Sequence, residues 1–388
     1  MKRRNFLTTS ATLAAAGFLA RMGFVDQAHA EGPLKVGILV PMSGPAGLFG
    51  PSSKNCAQMA VDKINAGGGI FGRMIDPIYT DVGVPPAEAA QAVLQVWKRQ
   101  GAEAFVGMND SAVRGALINL FKGQVPYIYT PVYEGGACAP GLFVIGETPS
   151  QQLQPVIPWL AANKGAKKWY LIGNDYNWPR DTNAAAKAYI AAGGGEVVGE
   201  EYLPFTADNF DSNLAKIKES GANAVLITLV GGASVGFNRA FGSFGLFDHV
   251  IRLGTLIEEN TLAGIGADGS KNLFASAGYF ASVATPAAKA FAEAYGTKFG
   301  SDAPVLNTLG ESCYDGLLLL SALAKKAGSL SVIDMDAAAE GTSYEGPRGK
   351  ATMEKRHISA DIFLAEAKGA TFEIVETFKN VSPSSTCA

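Results

Sequence analysis

Short apolar runs alternate with longer amphipathic stretches in the first part of the chain. In order, the predicted strands are LKVGILV (34–40), MIDPIYTD (74–81), AEAFVGM (102–108) and VPYIYT (125–130). The predicted helices between them are SSKNCAQMAVDKINAGGG (52–69), PPAEAAQAVLQVWKRQG (85–101) and SAVRGALINLFKGQ (111–124). Proline near the start and glycine at the end of such stretches are typical of helix boundaries. Strands separated by helices predict parallel sheets with helices on both faces.

The alternation starts again near residue 150, which indicates a second half of the same type. Strands are predicted there at KKWYLIG (167–173), EVVGEEYLP (196–204), AVLITLV (224–230) and VIRLGT (250–255). The pattern then changes to two helical stretches, 285–300 and 311–328, followed by a hairpin over 359–379 with Lys368-Gly369 at its turn. Two similar α/β halves linked by several crossovers leave a cleft, and ligands of open α/β sheets bind at the carboxyl ends of strands.

The first thirty residues have the pattern of an export signal. A basic start and an apolar middle are followed by the small-residue end Ala28-His29-Ala30. The Arg3-Arg4 pair, followed by Asn-Phe-Leu, resembles a twin-arginine signal, and we expect cleavage near Ala30. The alternative, an N-terminal helix of the folded domain, lacks a cap and a polar face. The sequence therefore predicts a protein exported to the periplasm.

Charge and cysteine content exclude several classes of function. Without residues 1–30 the chain keeps 28 Lys+Arg and 34 Asp+Glu, a net charge of −6, which argues against a nucleic-acid partner. The four cysteines, Cys56, Cys138, Cys313 and Cys387, are too far apart for a zinc knuckle and allow three full pairings, between which the sequence cannot choose. There is no HExxH motif and no Cys/His cluster, so we expect neither a metal nor another cofactor.

One motif raises the possibility of an enzyme. GASVG (232–236) matches G-x-S-x-G with Ser234 at its centre, after an apolar run and before a helical stretch. A serine nucleophile also needs an acid and a histidine, and only His249 and His357 follow it. The other interpretation is a glycine-rich turn close to the cleft, which we favour because short motifs often match by chance.

Polar and aromatic side chains recur where the predicted strands end. Ser111 stands at a helix start, where its hydroxyl could cap the helix and where free backbone N–H groups could bind a carboxylate or a carbonyl oxygen. The aromatic residues at these ends, which could form an apolar pocket with polar edges, are Phe49, Tyr129, Tyr133, Tyr176 and Trp178. Each one alone is explained by core packing or capping. Their repeated placement predicts a small-molecule site.

Four stretches resemble the type I periplasmic solute-binding proteins, in particular the branched-chain amino acid, aliphatic amide and urea binders. They are KVGILVPMSGPAGLFG, AVDKINAGGGIFGR, YTPVYEGGACAP and GNDYNWPRDTN. The resemblance implies an α/β fold with two Rossmann-like lobes, each with a parallel sheet, joined by a three-crossover hinge. Residues 31–148 plus 279–347 would form lobe 1, and residues 149–278 plus 348–388 would form lobe 2.

The resemblance also implies a function. The protein would be the periplasmic substrate-binding component of an ABC transporter, a monomer without enzymatic activity. It would capture a small polar solute, such as an amino acid, a short amide or a urea-like molecule, and deliver it to a membrane permease. The implied contacts are Phe49, Ser111, Tyr129 and Pro131 in lobe 1 and Tyr176, Trp178, Val230 and Glu258 in lobe 2.

One residue departs from the pattern of the amide binders. Asp110 puts an acid where an aromatic or small residue is expected. In the amino-acid binders an acid of the second lobe pairs with the ligand's ammonium, a role that Glu258 or Glu259 could have here, and Asp110 could bind an amine or an amide N–H, so the class of ligand stays open. The rival functions are an exported serine hydrolase using Ser234, a ligand sensor of the same fold, and a structural secreted protein.

Overall fold

A computed structural model describes residues 32–384 of the chain. The predicted export signal, its cleavage site near Ala30 and Cys387 lie outside the described residues. Within residues 32–384 no single helix is long and apolar enough to cross a membrane, and only the bent pair Thr308–Ala327 and Val332–Ala338 meets that criterion when taken together.

The strands of the described part follow the predicted alternation closely. In chain order they are β1 (Leu34–Val40), β2 (Ile75–Asp81), β3 (Ala104–Gly107), β4 (Tyr127–Tyr129), β5 (Leu142–Val144), β6 (Lys168–Asn174), β7 (Glu196–Leu203), β8 (Ala224–Thr228), β9 (Ile251–Gly254), β10 (Leu273–Ala277), β11 (Ser343–Gly346), β12 (Gly349–Glu354), β13 (His357–Lys368) and β14 (Thr371–Val381).

The α-helices lie between these strands. In chain order they are α1 (Gly50–Ala66), α2 (Pro86–Lys98), α3 (Ser111–Phe121), α4 (Pro149–Gln152), α5 (Val156–Lys164), α6 (Asn177–Ala192), α7 (Asp211–Glu219), α8 (Gly231–Phe241), α9 (Glu259–Ile265), α10 (Pro286–Phe299), α11 (Thr308–Ala327) and α12 (Val332–Ala338).

The strands form two groups that meet at β13. Group 1 has the order β2-β1-β3-β4-β5, and group 2 has the order β10-β9-β8-β6-β7. Neighbouring strands within each group are parallel. β13 pairs with β5 at one position, His357 opposite Val144, and runs antiparallel to β10 and β14. The predicted α/β fold and the hairpin at the end of the chain are therefore confirmed.

The chain passes between the two groups three times. It leaves group 1 after β5, returns after β10 so that α11 packs against α1, β3 and β4, and passes from β12 to β13. α11 approaches β3 and β4 closely at Gly316, where an added Cβ would lie 2.7 Å from the Thr130 side chain and 2.9 Å from that of Val106. The exact residues that divide the two predicted lobes stay a prediction.

A buried charge cluster joins the first two crossing segments to α11 and to the turn between β11 and β12. The Arg348 guanidinium contacts Glu147 at 3.0 Å, Glu311 at 2.5 Å and Asp315 at 3.2 Å, and all four side chains are almost fully buried. Glu147 also accepts the backbone N–H of Gly278 at 2.9 Å, at the end of the second crossing. Burial, followed by the neighbouring Glu311 charge, raises the pKa of Asp315 well above its ordinary value. Removal of Arg348 would leave buried carboxyl groups without a cation.

Candidate functional site

A cavity lies where the carboxyl ends of strands from both groups face each other. Group 1 contributes the segments after β1, β3 and β4, and group 2 contributes those after β6, β8 and β9. The wall consists of Ala46, Phe49, Met108, Asn109, Asp110, Ser111, Tyr129, Pro131, Val132, Tyr176, Trp178, Val230 and Leu256. This is the place at which an α/β sheet is expected to bind a ligand.

The structure brings together all but one of the implied contact residues. The wall includes Phe49, Ser111, Tyr129, Pro131, Tyr176, Trp178 and Val230. Glu258 lies outside the wall and is 1 % exposed. Its carboxylate instead caps α9, because it accepts the backbone N–H groups of Asn260 and Thr261 at 2.8 Å each, as well as the Thr261 hydroxyl. The Glu258 carboxylate is therefore engaged in hydrogen bonds to the start of its own helix.

The start of α3 is capped by Asp110, and the expectation that Ser111 would cap it is wrong. The Asp110 Oδ1 accepts the backbone N–H of Val113 at 2.7 Å, which is the usual N-cap bond. The Ser111 hydroxyl donates to Glu134 at 2.6 Å and accepts from Arg114 at 2.9 Å. Ser111 therefore joins the cavity wall to the ion pair behind it.

The ion pair of Arg114 and Glu134 supports the wall without lining it. Both side chains are nearly buried, and the guanidinium lies 4.9 Å from the ring centre of Tyr129 and 4.5 Å from that of Tyr133. Because the two charges neutralise each other, the pair holds the aromatic rings in place and adds little net charge to the cavity. Asn177, from group 2, donates to the same Glu134 carboxylate at 3.0 Å and so links the groups at the rim.

Tyr129 and Tyr133 have different roles. The Tyr129 hydroxyl donates to the backbone oxygen of Asn109 at 2.9 Å, which fixes its ring in the wall. Tyr133 was expected in the pocket but lies outside its wall, because its hydroxyl is hydrogen-bonded to His357 Nε2, at the first residue of β13. Burial lowers the pKa of His357 to about 4, so this ring is neutral at neutral pH.

The corner between β6 and α6 supplies the opposite wall. Trp178 is 2 % exposed, and its ring centre lies 6.2 Å from that of Tyr176. The Trp178 Nε1–H group is buried and has no hydrogen-bond acceptor in the protein. Burial raises the pKa of Tyr176 well above its ordinary value, and the charge of Asp110 raises it further. Trp178 is thus a wall residue with an unpaired donor, and burial together with Asp110 disfavours a phenolate at Tyr176.

A second, apolar cavity adjoins the first, and we call it the annex. It shares Ala46, Asp110, Tyr176 and Val230 with the first cavity. Its remaining wall is made of small and apolar residues, namely Pro41, Gly44, Pro45, Val82, Gly83, Val84, Pro85, Pro86 and Phe205. The annex can accommodate an apolar part of a molecule whose polar end lies in the first cavity.

Ser234 does not have the surroundings of a nucleophile. It lies on α8, is fully buried, and its hydroxyl has no hydrogen-bond partner in the protein. Within residues 32–384, the hydroxyl is therefore not bonded to His249 or His357. Among the same residues, no group of three or more His, Cys, Asp or Glu side chains is placed to hold a metal ion. Cys56 and Cys313 are free and buried, whereas Cys138 is disulfide-bonded.

Several wall residues were not named from the sequence as contacts. Met108 and Asn109 directly follow β3, and Val132 and Leu256 follow β4 and β9 by a few residues. Their position after a strand was the available signal. Whether an apolar side chain there faces the cavity or the core depends on neighbouring elements, which the pattern does not specify.

Comparison with known proteins identifies the family. A family model described as "Periplasmic binding protein" matches residues 33–371, and the chain belongs to this family. The earlier resemblance to the periplasmic solute-binding proteins is thereby confirmed. Members of the family are periplasmic proteins that bind small solutes and work with ABC transporter permeases.

The individual relatives and solved structures share only low sequence identity with this chain. The chain is 26 % identical over 347 residues to the Leu/Ile/Val-binding protein homolog 6 of Brucella melitensis, covering 87 % of this chain and 88 % of the relative. A solute-binding protein of an ABC transporter from Rhodopseudomonas palustris HaA2, in complex with p-hydroxybenzoic acid, has a TM-score of 0.82 at 24 % identity and covers 91 % and 98 % of the two chains. A branched-chain amino acid transporter substrate-binding protein from Streptococcus pneumoniae, in complex with isoleucine, has a TM-score of 0.79 at 23 % identity, with coverage of 89 % and 99 %. These structures show a shared fold.

Proposed function

We propose that this protein is the substrate-binding component of an ABC importer that captures a small polar solute between its two strand groups and delivers it to a membrane permease. The proposed solutes are amino acids, short amides and urea-like molecules. The same proposal includes export by a twin-arginine signal with cleavage near Ala30, two lobes with the boundaries given above, and a monomeric state.

The observation that carries this proposal is the Trp178 indole N–H. A buried donor without an acceptor costs about 1–3 kcal/mol, so such groups need an explanation. Trp178 lines a cavity formed by residues of both strand groups, and a solute oxygen that reaches its Nε1 there would supply the missing acceptor. The wall around it is apolar and aromatic with few polar groups, which is typical of small-molecule sites.

A binding protein without turnover fits the geometry better than a hydrolase. The Ser234 hydroxyl is buried and lies outside the wall of the cavity. A nucleophilic serine needs a base within hydrogen-bond reach, and neither His249 nor His357 is bonded to it. Ser234→Ala should accordingly bind solute as the wild type does, and no product should form.

The test begins with a thermal-shift screen of the purified protein against amino acids, short amides, urea and benzoates. A solute that binds only the folded state raises the melting temperature by mass action. The best solute is then titrated by calorimetry into wild type and Trp178→Phe, which keeps an aromatic ring but removes the N–H group. We expect a loss of roughly 0.5–1.5 kcal/mol of binding free energy, the net value of one hydrogen bond.

A matched control lies on the strand that leads to the same corner. Trp169 is also fully buried with an unpaired Nε1, but it belongs to the core and lies outside the cavity wall. Trp169→Phe should therefore leave affinity unchanged. No solute-dependent shift with any compound would refute the proposed function, and equal losses in both variants would show that Trp178 acts through packing alone.

A further inference from the structure

We propose that Asp110 sets the charge selectivity of this site, favouring solutes that present an N–H group to its carboxylate and rejecting monoanions such as benzoates. The proposal rests on the proposed function, since it concerns the solute of the same cavity. It adds a residue that discriminates between two classes of solute of similar size and shape.

Among residues 32–384, Asp110 is the only charged side chain in the walls of the first cavity and the annex. Neither wall contains a lysine, an arginine or a histidine. Arg114 lies behind the first wall, where Glu134 already pairs with it. A carboxylate solute would therefore enter a largely desolvated cavity that holds one negative charge and no cation to compensate for its own, which is unfavourable.

The hydrogen-bonding groups of the site point to the same conclusion. Asp110 lies in the wall on the group 1 side and accepts hydrogen bonds, whereas Trp178 lies on the group 2 side and offers one donor. A carboxamide can satisfy both, because its oxygen accepts from Trp178 while its N–H donates to Asp110. An amino acid can do so with its carboxylate and its ammonium. A benzoate carboxylate has only acceptors and would place one of them against Asp110.

Tyr176 lies beside Asp110 in the same part of the cavity. It lines both cavities, and the charge of Asp110 acts with burial to raise the pKa of its hydroxyl. The Tyr176 phenolate is thus disfavoured by the same two effects that a bound carboxylate would meet. A neutral or zwitterionic head group avoids this cost, and its apolar substituent can extend into the annex.

The experiment measures matched pairs in which only the charge of the head group changes. Benzamide and benzoate, and isovaleramide and isovalerate, are titrated into the protein by calorimetry at neutral pH, with leucine as a zwitterionic probe. We expect the wild type to bind the amide at least about tenfold more tightly than the acid, since like charges a few ångströms apart in a protein repel by more than 1 kcal/mol.

Asp110→Asn removes the charge and keeps an N-cap residue, because asparagine caps helices as well as aspartate does. In this variant the amide-to-acid ratio should fall towards one. Asp175→Asn is the control: Asp175 lies at the corner next to Tyr176 but outside both walls, where it pairs with Arg180. Its loss changes the net charge equally and should leave the ratio as in the wild type.

Three results would overturn the proposal. They are equal or tighter binding of the acid by the wild type, an amide preference that persists unchanged in Asp110→Asn, and absence of binding for leucine and both amides while other solutes bind. The proposed function fails differently, because it is refuted only if no solute of the wider screen binds in the cavity.

Discussion

Gly231 is the residue whose replacement should most directly prevent the two strand groups from closing on a solute. It begins α8 and directly follows the wall residue Val230, and its φ is +54°. A Cβ at this position would lie 2.1 Å from the backbone oxygen of Pro45, which precedes the wall residue Ala46 in group 1. Gly231→Ala therefore places a methyl group between the two sides of the cleft.

The size of the effect follows from two distances. An ordinary van der Waals contact of a Cβ begins at 3.4 Å, and the available distance is 2.1 Å, so Pro45 and α8 must separate by about 1.3 Å. Both segments are backbone, so no flexible side chain can relieve the clash. A gap of about 0.5–1 Å already loses roughly a quarter to a half of each contact across it. We expect affinity to fall on the order of tenfold, which is about 1.4 kcal/mol.

The substitution also has a cost in stability that must be measured separately. The left-handed backbone conformation costs about 1–2 kcal/mol for any residue that has a Cβ. The free energy of unfolding of Gly231→Ala should therefore fall by about that amount. Urea denaturation of the unliganded protein gives this value, and calorimetric titration of the folded fraction gives the affinity. The two measurements separate strain in the backbone from obstruction of the cleft.

Gly232→Ala is the matched control. Gly232 is the next residue of the same helix, and a Cβ there meets no atom within 4 Å. This variant should bind as the wild type does. If Gly231→Ala lowers stability but binds the solute with wild-type affinity, the contact with Pro45 has no part in binding and the reasoning is wrong. The same holds if both variants lose affinity equally.

Two further predictions concern the segments that join the strand groups. Arg348→Met should lower the free energy of unfolding by about 3–5 kcal/mol in urea denaturation, because Glu311 and Asp315 would stay buried without their cation; a loss below about 1 kcal/mol would contradict this. Burial, helped by the charge of Arg114, lowers the pKa of His357 from 6.5 to about 4, so the unfolded chain takes up the proton first and stability should fall as pH drops through this window. Between pH 7 and pH 4 the free energy of unfolding of the wild type should fall by up to about 3 kcal/mol more than that of His357→Gln. If the stability of both proteins changes with pH in the same way, the lowered pKa of His357 is wrong.

The sequence alone determined the order of the elements and the edge of the sheets at which the cavity lies. Strands such as β1, β6 and β8 are continuous apolar runs, because both of their faces are covered. β5, β10, β11 and β12 were not predicted, because their three to six residues give an ambiguous pattern, whereas β4 is as short as β5 but lies in the longer apolar run 125–130. Since the carboxyl ends of parallel strands share one edge, residues after different strands could be assigned to one cavity without knowledge of their contacts.

Tertiary structure alone decided what each polar side chain does. Asp110 and Glu258 both follow strands and both cap a helix, yet only Asp110 also lines the cavity. Tyr133 lies outside the cavity wall, and its hydroxyl is hydrogen-bonded to His357, which is 224 residues away in the chain. A side chain near a strand end has several orientations available, and the choice among them depends on partners brought together by folding. The local pattern of polar and apolar residues does not identify those partners. The position of the site could therefore be predicted from the sequence, but the hydrogen bonds and charges within it could not.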